Sequence, residues 1–227
     1  PPRCGEAGLI VFPGAAPVPA SSTLETSVNI AGQLTEMACR HPPLRAVVVP
    51  EGRNAAGRIR YSHLTYRQLD EDSDRIAKGL PSAGINAGDR AAVMVRPGLD
   101  FFALTFGLFK AGVVPVLIDP GMGLKSLGKC LGEASPHAFI GIPAAHAARK
   151  ILGWAKESVK ARVLVSGRLR LPGMKTLGDV RRKGSRVIAA AGGRVQLPEN
   201  TLEQVAAILF TSGSTGVPKG AVYTHAI

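Results

Sequence analysis

The chain has 227 residues, of which 45% are apolar, 19% charged and 5% aromatic. That balance excludes a disordered polyelectrolyte and predicts a folded chain with an aliphatic core, long enough for one large domain or two small ones. The net charge of +12 admits acidic partners, nucleic acid among them.

Residues 1–25 are rich in Pro, Ala, Gly and Ser without periodicity and read as a flexible tail or linker. Pro13, Pro17 and Pro19 interrupt the mildly apolar stretch from Gly8 to Ala20, which argues against a signal peptide. A helix is predicted from Ser27, with Ile30, Leu34, Met37, Ala38 and His41 on one face, and Pro42-Pro43 end it. Ala46 to Val49 reads as a short buried strand. Thr65 and Gln68 have capping-box spacing and open a helix carrying Leu69, Ile76, Ala77 and Leu80, with Gly84 as its stop.

Arg90 to Val95 reads as a strand, Pro97-Gly98 as a turn, Leu99 to Ala111 as a buried helix and Val113 to Ile118 as an apolar strand. Phe101 to Ile118 is long enough to span a bilayer, but Lys110, Gly112 and Pro115 divide it, so no membrane span is predicted. After the turn Asp119-Pro120-Gly121 come a helix from Leu124 to Glu133, a strand from Ala138 to Ile140, a helix from Ala144 to Lys156 and a strand from Arg162 to Val165. Ser166 to Asn200 is irregular and predicts loop with short elements.

Most of the charge excess lies between Arg149 and Arg186, where twelve Lys or Arg stand against Glu157 and Asp179, a net of +10. Trp154 is the only aromatic residue there, so base stacking has no platform. A solvated basic face is preferred to nucleic-acid binding.

Strand and helix alternate, and the strands are nearly continuous apolar runs. This predicts an α/β fold, a mainly parallel sheet with helices on both faces. Cys4, Cys39 and Cys130 are dispersed, and the five histidines lack metal-ligand spacing. A reduced, cytoplasmic scaffold with no metal site of its own is expected.

Chemistry concentrates near the end of the chain. The apolar run Val205 to Phe210 leads into Thr211-Ser212-Gly213-Ser214-Thr215-Gly216-Val217-Pro218-Lys219-Gly220, and Ala221 to Thr224 resumes as strand. Glycines at 213, 216 and 220 let successive N–H groups turn inward as an anion nest. Thr211, Ser212, Ser214 and Thr215 add hydroxyl donors, and Lys219 adds a positive charge, a set suited to a polyphosphate. An ordinary hairpin loop is the plain alternative, and the flanking strands with Pro-Lys-Gly weigh against it. It is not a Walker A loop, because Lys219 is followed by Gly220 and a strand rather than by Ser or Thr and a helix.

The run Leu209 to Gly220, continued by Thr224-His225, resembles the phosphate-loop signature of the superfamily of acyl-CoA synthetases, peptide-synthetase adenylation domains and luciferases. Leu64 to Leu69, Gly84 to Arg90 and Leu108 to Val116 resemble earlier motifs of that superfamily in the same order, so the similarity covers about residues 26–227. Ile118 to Gly123 and Ala138 to His146 look like the olefin-biosynthesis branch, whose members close an activated 2-alkyl-3-hydroxy acid to a β-lactone.

The resemblance implies the first part of an AMP-binding domain, ending just after the phosphate loop, as a piece of a longer chain. It implies ATP with Mg²⁺ as cofactors and formation of an acyl-adenylate from a fatty or 3-hydroxy fatty acid. By it, Thr211, Ser212, Gly213, Ser214, Thr215 and Gly216 hold the β- and γ-phosphates, and Lys219 stabilises the leaving pyrophosphate. CoA, lactone closure or a carrier protein are the open choices for the second half-reaction, and pathway enzymes are the partners it suggests. Thr65 and Lys110 are expected to be structural, Asp119 a turn-former or a site residue, and His225 a support of the loop or merely structural. The family's ribose-gripping acid, acyl-pocket aromatic segment and small lysine-bearing C-terminal domain find no counterpart here. The competing readings are a catalytically incomplete remnant or binding module that keeps a phosphate loop, and a basic nucleic-acid binder.

Overall fold

A computed structural model describes residues 29–165, 169–192, 198, 200–211 and 219–226. The expected tail of residues 1–25 lies outside them. Helix α1 spans Gly32–Arg40, later than the start expected at Ser27. The delay is local: the Asn29 carboxamide oxygen accepts from the Ala31 N–H at 2.9 Å, and the Gly32 N–H bonds the Asn29 carbonyl at 2.7 Å, so the chain is still turning there.

Strands β1 (Arg45–Arg53) and β2 (Ile59–Thr65) form a separate antiparallel hairpin. The second strand was not anticipated. Its apolar residues Ile59 and Tyr61 face solvent, the reverse of the pattern that marks a half-buried strand. Helix α2 (Tyr66–Gly79) opens with the expected capping box: the Gln68 N–H donates to Thr65 Oγ1 at 3.2 Å and the Thr65 N–H to Gln68 Oε1 at 2.9 Å. A 3₁₀ turn, Leu80–Ala83, then ends at Gly84, whose φ of 75° is the left-handed stop the sequence indicated.

The main sheet follows. Its elements are β3 (Arg90–Met94), α3 (Leu99–Lys110), β4 (Val114–Ile118), α4 (Leu124–Ala134), β5 (Ala138–Gly141), α5 (Pro143–Leu152), β6 (Ala161–Leu164), β7 (Lys175–Thr176), α6 (Leu177–Ala190), β8 (Val205–Thr211) and β9 (Lys219–Thr224). The strand order is β7-β6-β5-β3-β4-β8-β9, parallel throughout except for β9, which runs antiparallel to β8. This is the mainly parallel, two-faced α/β fold the sequence predicted.

Strand alternation assigns the two faces. Ala91, Val93, Ala138, Ile140 and Val163 pack under α1, α2, α3 and α6, with Leu69, Ile76, Leu104, Leu108 and Val180 above them. Ala92, Val116, Phe139, Ile208 and Phe210 pack on the other face against Leu127, Cys130 and Leu131 of α4, with Ala145 and Ala148 of α5 beside them. Among the described residues no helix is long and apolar enough to cross a membrane.

The expectation of irregular structure from Ser166 to Asn200 is corrected by α6. Thr176 caps it in a second capping box, accepting from the Asp179 N–H at 3.1 Å while the Thr176 N–H donates to the Asp179 carboxylate at 3.0 Å. The sequence concealed this helix because Gly178 and Gly184 lower its intrinsic propensity. Tertiary packing reverses the argument. A Cβ on Gly184 would lie 1.8 Å from the Arg75 carbonyl oxygen, and one on Gly79 would lie 1.9 Å from that of Val180, so α2 and α6 meet backbone to backbone where only glycine fits.

The basic segment is corrected in part as well. Arg181 forms a bidentate pair with Asp72 at 2.9 and 2.6 Å and reaches Asp100 at 2.8 Å, while Arg170 and Arg182 bind Asp179. These arginines join α6 to α2 and α3, or brace the α6 cap, instead of forming a purely solvated face.

Lys110, expected to be structural, is so in a specific way. Its side chain is fully buried, and its ammonium donates to Asp70 Oδ1 at 2.6 Å, Asp74 Oδ1 at 2.7 Å and the Asp70 carbonyl at 2.9 Å. The signal was present on α2: Asp70 and Asp74 stand four residues apart, close to Leu69 and Ile76 of its buried stripe.

Candidate functional site

In a parallel sheet every strand delivers its following loop to the same edge. Adjacent strands whose connections depart to opposite faces leave a crevice between those loops. Here β3 and β5 are neighbours. From β3 the chain passes into α3 on one face, and from β5 into α5 on the other. The crevice therefore opens beyond Met94 and Gly141, with the ends of β4 and β8 beside it.

The crevice is a cavity of about 670 Å³. Its walls are mostly aliphatic and aromatic, with Val93, Leu117, Ile118, Ile142, Leu209 and Phe210 among them, and Arg96, Asp119 and Thr211 contribute polar groups. Size and lining suit a small molecule with an apolar body. The runs 118–123, 138–146 and 209–220 supply several of these walls, but nothing along the chain marked them as one cavity. They converge only because crossover connections bring four strand ends to one place.

Strand β8 reaches this edge at Thr211, which is exposed, and β9 leaves it at Lys219, its direct antiparallel partner. Thr211 and Lys219, the described residues on either side of positions 212–218, are thus held at fixed spacing by their pairing. Of the predicted site residues, Thr211 lies in the described part and lines the cavity. Ser212, Gly213, Ser214, Thr215 and Gly216 lie outside the described residues, as does the side chain of Lys219.

Gly220 has a steric reason to be glycine. It pairs with Phe210, and a Cβ there would lie 2.9 Å from the Phe210 ring. The absent side chain leaves room for the ring that forms part of the crevice wall.

Asp119 forms the expected turn. Its carboxylate accepts from the Gly121 N–H at 2.8 Å and caps the 3₁₀ turn Pro120–Met122, while its backbone N–H donates to the Phe210 carbonyl at 3.3 Å, tying the β4 loop to β8. It lines the crevice as a consequence of that turn. His225 stands past the far end of β9, roughly 20 Å of strand from Lys219. Its Nδ1 accepts from the Ile30 N–H at 3.4 Å and its own N–H donates to the Gln204 carbonyl at 3.1 Å, so it ties the opposite edge of the sheet together. Burial pushes its pKa below the ordinary imidazole value.

His146, on α5 behind the crevice, is buried as well. Its Nε2–H donates to the Val163 carbonyl at 3.0 Å, and its ring meets Phe139 edge-on at 5.1 Å. Desolvation lowers its pKa, and its Nδ1 has no partner among the described residues. Among those residues no three His, Cys, Asp or Glu side chains cluster as metal ligands.

Comparison with known proteins gives this geometry a family. The AMP-binding enzyme family matches residues 35–226. An olefin beta-lactone synthetase of Xanthomonas campestris pv. campestris is 50% identical over 203 residues, which cover 89% of this chain and 35% of that protein. The olefin beta-lactone synthetase of Stenotrophomonas maltophilia is 49% identical over 87% of this chain and 35% of its own length. Among solved structures, apo MbtA of Mycobacterium smegmatis superposes with a TM-score of 0.68 at 26% identity, covering 88% of this chain and 34% of that one. A long-chain-fatty-acid-CoA ligase of Archaeoglobus fulgidus shares the fold with a TM-score of 0.70 at 20% identity, over 88% and 37% of the two chains. The chain spans about a third of the length of the curated relatives it matches. With the family matched over most of its residues and half of them shared with a relative, the chain belongs to the AMP-binding enzymes.

Proposed function

We propose that this chain supplies the phosphate-binding part of an AMP-forming acid ligase that activates a fatty or 3-hydroxy fatty acid as its acyl-adenylate. In that reaction a carboxylate oxygen attacks the α-phosphorus of ATP. The bond from that phosphorus to the bridging oxygen breaks, and pyrophosphate leaves with the electron pair. Negative charge gathers on the phosphates, so positioned donors and cations do most of the work. Thr211, Ser212, Gly213, Ser214, Thr215 and Gly216 would hold the β- and γ-phosphates through hydroxyl and backbone N–H groups, and Lys219 would stabilise the leaving pyrophosphate. Mg²⁺ would arrive with the nucleotide and offset phosphate charge.

The observation that carries this reading is the pairing of Thr211 with Lys219 on the rim of an apolar crevice of about 670 Å³. It supports a reading in which the polyphosphate would be held next to space for an apolar acid. The β-lactone branch is supported by the 50% and 49% identities to two proteins of that name. We therefore propose closure of a 2-alkyl-3-hydroxy acid to a β-lactone as the second half-reaction, with CoA thioester formation as its rival. We place the reaction in the cytoplasm, which suits the three dispersed cysteines of the sequence, with neighbouring pathway enzymes as partners.

The test is ATP-dependent pyrophosphate release by the whole protein given a 2-alkyl-3-hydroxy acid and Mg²⁺, with the organic product identified. A β-lactone formed without CoA is expected. Thioester formation dependent on CoA would replace the lactone reading, and no acid-dependent pyrophosphate release would overturn acid activation itself. Residues 1–227 alone are expected to release no pyrophosphate, since they match only about a third of each relative.

A further inference from the structure

The β1–β2 hairpin is unlike the rest of the surface. Its register sets Val48 opposite His63, Pro50 opposite Tyr61 and Arg53 opposite Ile59. Val47 and Leu64, which also pair, pack inward against the core. Alternation then sends Val48, Pro50, Ile59 and Tyr61 to the outer face. Val48 is 50% exposed, Ile59 45% and Tyr61 61%. Pro50 also borders a groove of about 750 Å³ between the hairpin and the start of α3, where Glu51, Arg96 and Asp100 are among the lining residues.

The charge around this patch is one-sided. Residues 45–67 hold Arg45, Arg53, Arg58, Arg60 and Arg67 against Glu51, a net of +4, and no lysine. All five arginines are exposed, and none has an ion-pair partner among the described residues. By contrast Arg181, Arg170 and Arg182 of the other basic region are bound to carboxylates of the chain.

We infer that the outer face of this hairpin docks an acidic protein whose contact surface has an apolar centre. Charge complementarity requires carboxylates on the partner, and the exclusive use of arginine suits bidentate pairing with them. Tyr and Arg are enriched at protein interfaces and Lys is depleted. A lipid surface would draw on lysine and arginine alike.

The experiment measures binding of the whole protein to a random copolymer of glutamate and tyrosine, with polyglutamate and a lysine–tyrosine copolymer as controls. The copolymer with glutamate and tyrosine is expected to bind best. The double variant Arg53→Gln, Arg58→Gln and the single variant Tyr61→Ser should each weaken it roughly tenfold or more, with thermal stability and pyrophosphate release unchanged. Equal binding by the variants overturns the inference. Binding to phosphatidylglycerol vesicles in place of the copolymer, lost in the same variants, overturns it in favour of a lipid surface. Protection of Tyr61 from solvent labelling in the whole protein alone overturns it too, by showing the face covered by its own chain.

Discussion

The two flanks of the sheet are built by different rules. On the flank of α2, α3 and α6, backbone meets backbone at Gly79 and Gly184, Lys110 is buried between two aspartates, and two helices begin with capping boxes. At the edge where β3, β4, β5 and β8 end there is an open apolar crevice with Arg96, Asp119 and Thr211 among its few polar residues. The first region is over-determined, and its polar groups are spent on one another. The second leaves surface uncovered and donors available. On the proposed function, stability and chemistry fall to separate parts of one sheet, and substitutions should separate them.

The largest effect on stability is expected at Lys110. Lys110→Met keeps volume but takes the buried ammonium away from Asp70 and Asp74, and should cost about 3–5 kcal/mol, read from the denaturant midpoint. A loss below about 1 kcal/mol would mean that water reaches the pair and that this flank is looser than described. Lys219→Ala in the whole protein should do the converse. On the proposed function it lowers pyrophosphate release about 10²–10³-fold while the thermal midpoint stays within error, and a large fall in stability with intact turnover would dissolve the comparison.

Smaller changes sharpen the first region. Gly184→Ala forces α2 and α6 apart at the Arg75 carbonyl and should cost about 1–3 kcal/mol, with the wild-type stability recovered by no larger residue at 184. Thr176→Ala removes the α6 cap and should cost about 1 kcal/mol; an unchanged midpoint would show that packing alone starts the helix.

Acid resolves two groups in turn. Desolvation keeps His146 neutral in the folded chain, so stability should fall as pH drops below the ordinary imidazole value of 6.5, where the unfolded chain takes up a proton the folded one refuses. His146→Gln should remove part of that slope and leave the part due to His225, whose pKa burial also lowers. The backbone and side-chain hydrogen bonds from Thr176 hold Asp179 down at about 2 against an ordinary 3.8. Its contribution is full above 3.8 and is lost only as pH falls toward 2. A cap lost near pH 5 would be incompatible with those bonds.

Much of the architecture was written in local signals. The capping box at Thr65, the stop at Gly84, the turn at Asp119 and the apolar runs at Arg90–Met94, Val114–Ile118 and Val205–Thr211 all act within a few residues, so their sequence is sufficient. The proposed phosphate role of Thr211 to Gly220 rests on local signals in the same way, on glycines, hydroxyls and a lysine in close order. Tertiary structure decided the rest. Helix α6 exists against its glycines because Gly184, with Gly79 on α2, lets the two backbones meet, a contact between residues about a hundred positions apart. The pairing of Lys110 with Asp70 and Asp74, the arginines drawn to Asp72 and Asp100, and the crevice walls all arise from crossovers that bring distant segments together. Composition names such residues, but only the sheet order selects their partners, because burial and charge pairing depend on neighbours in space rather than along the chain.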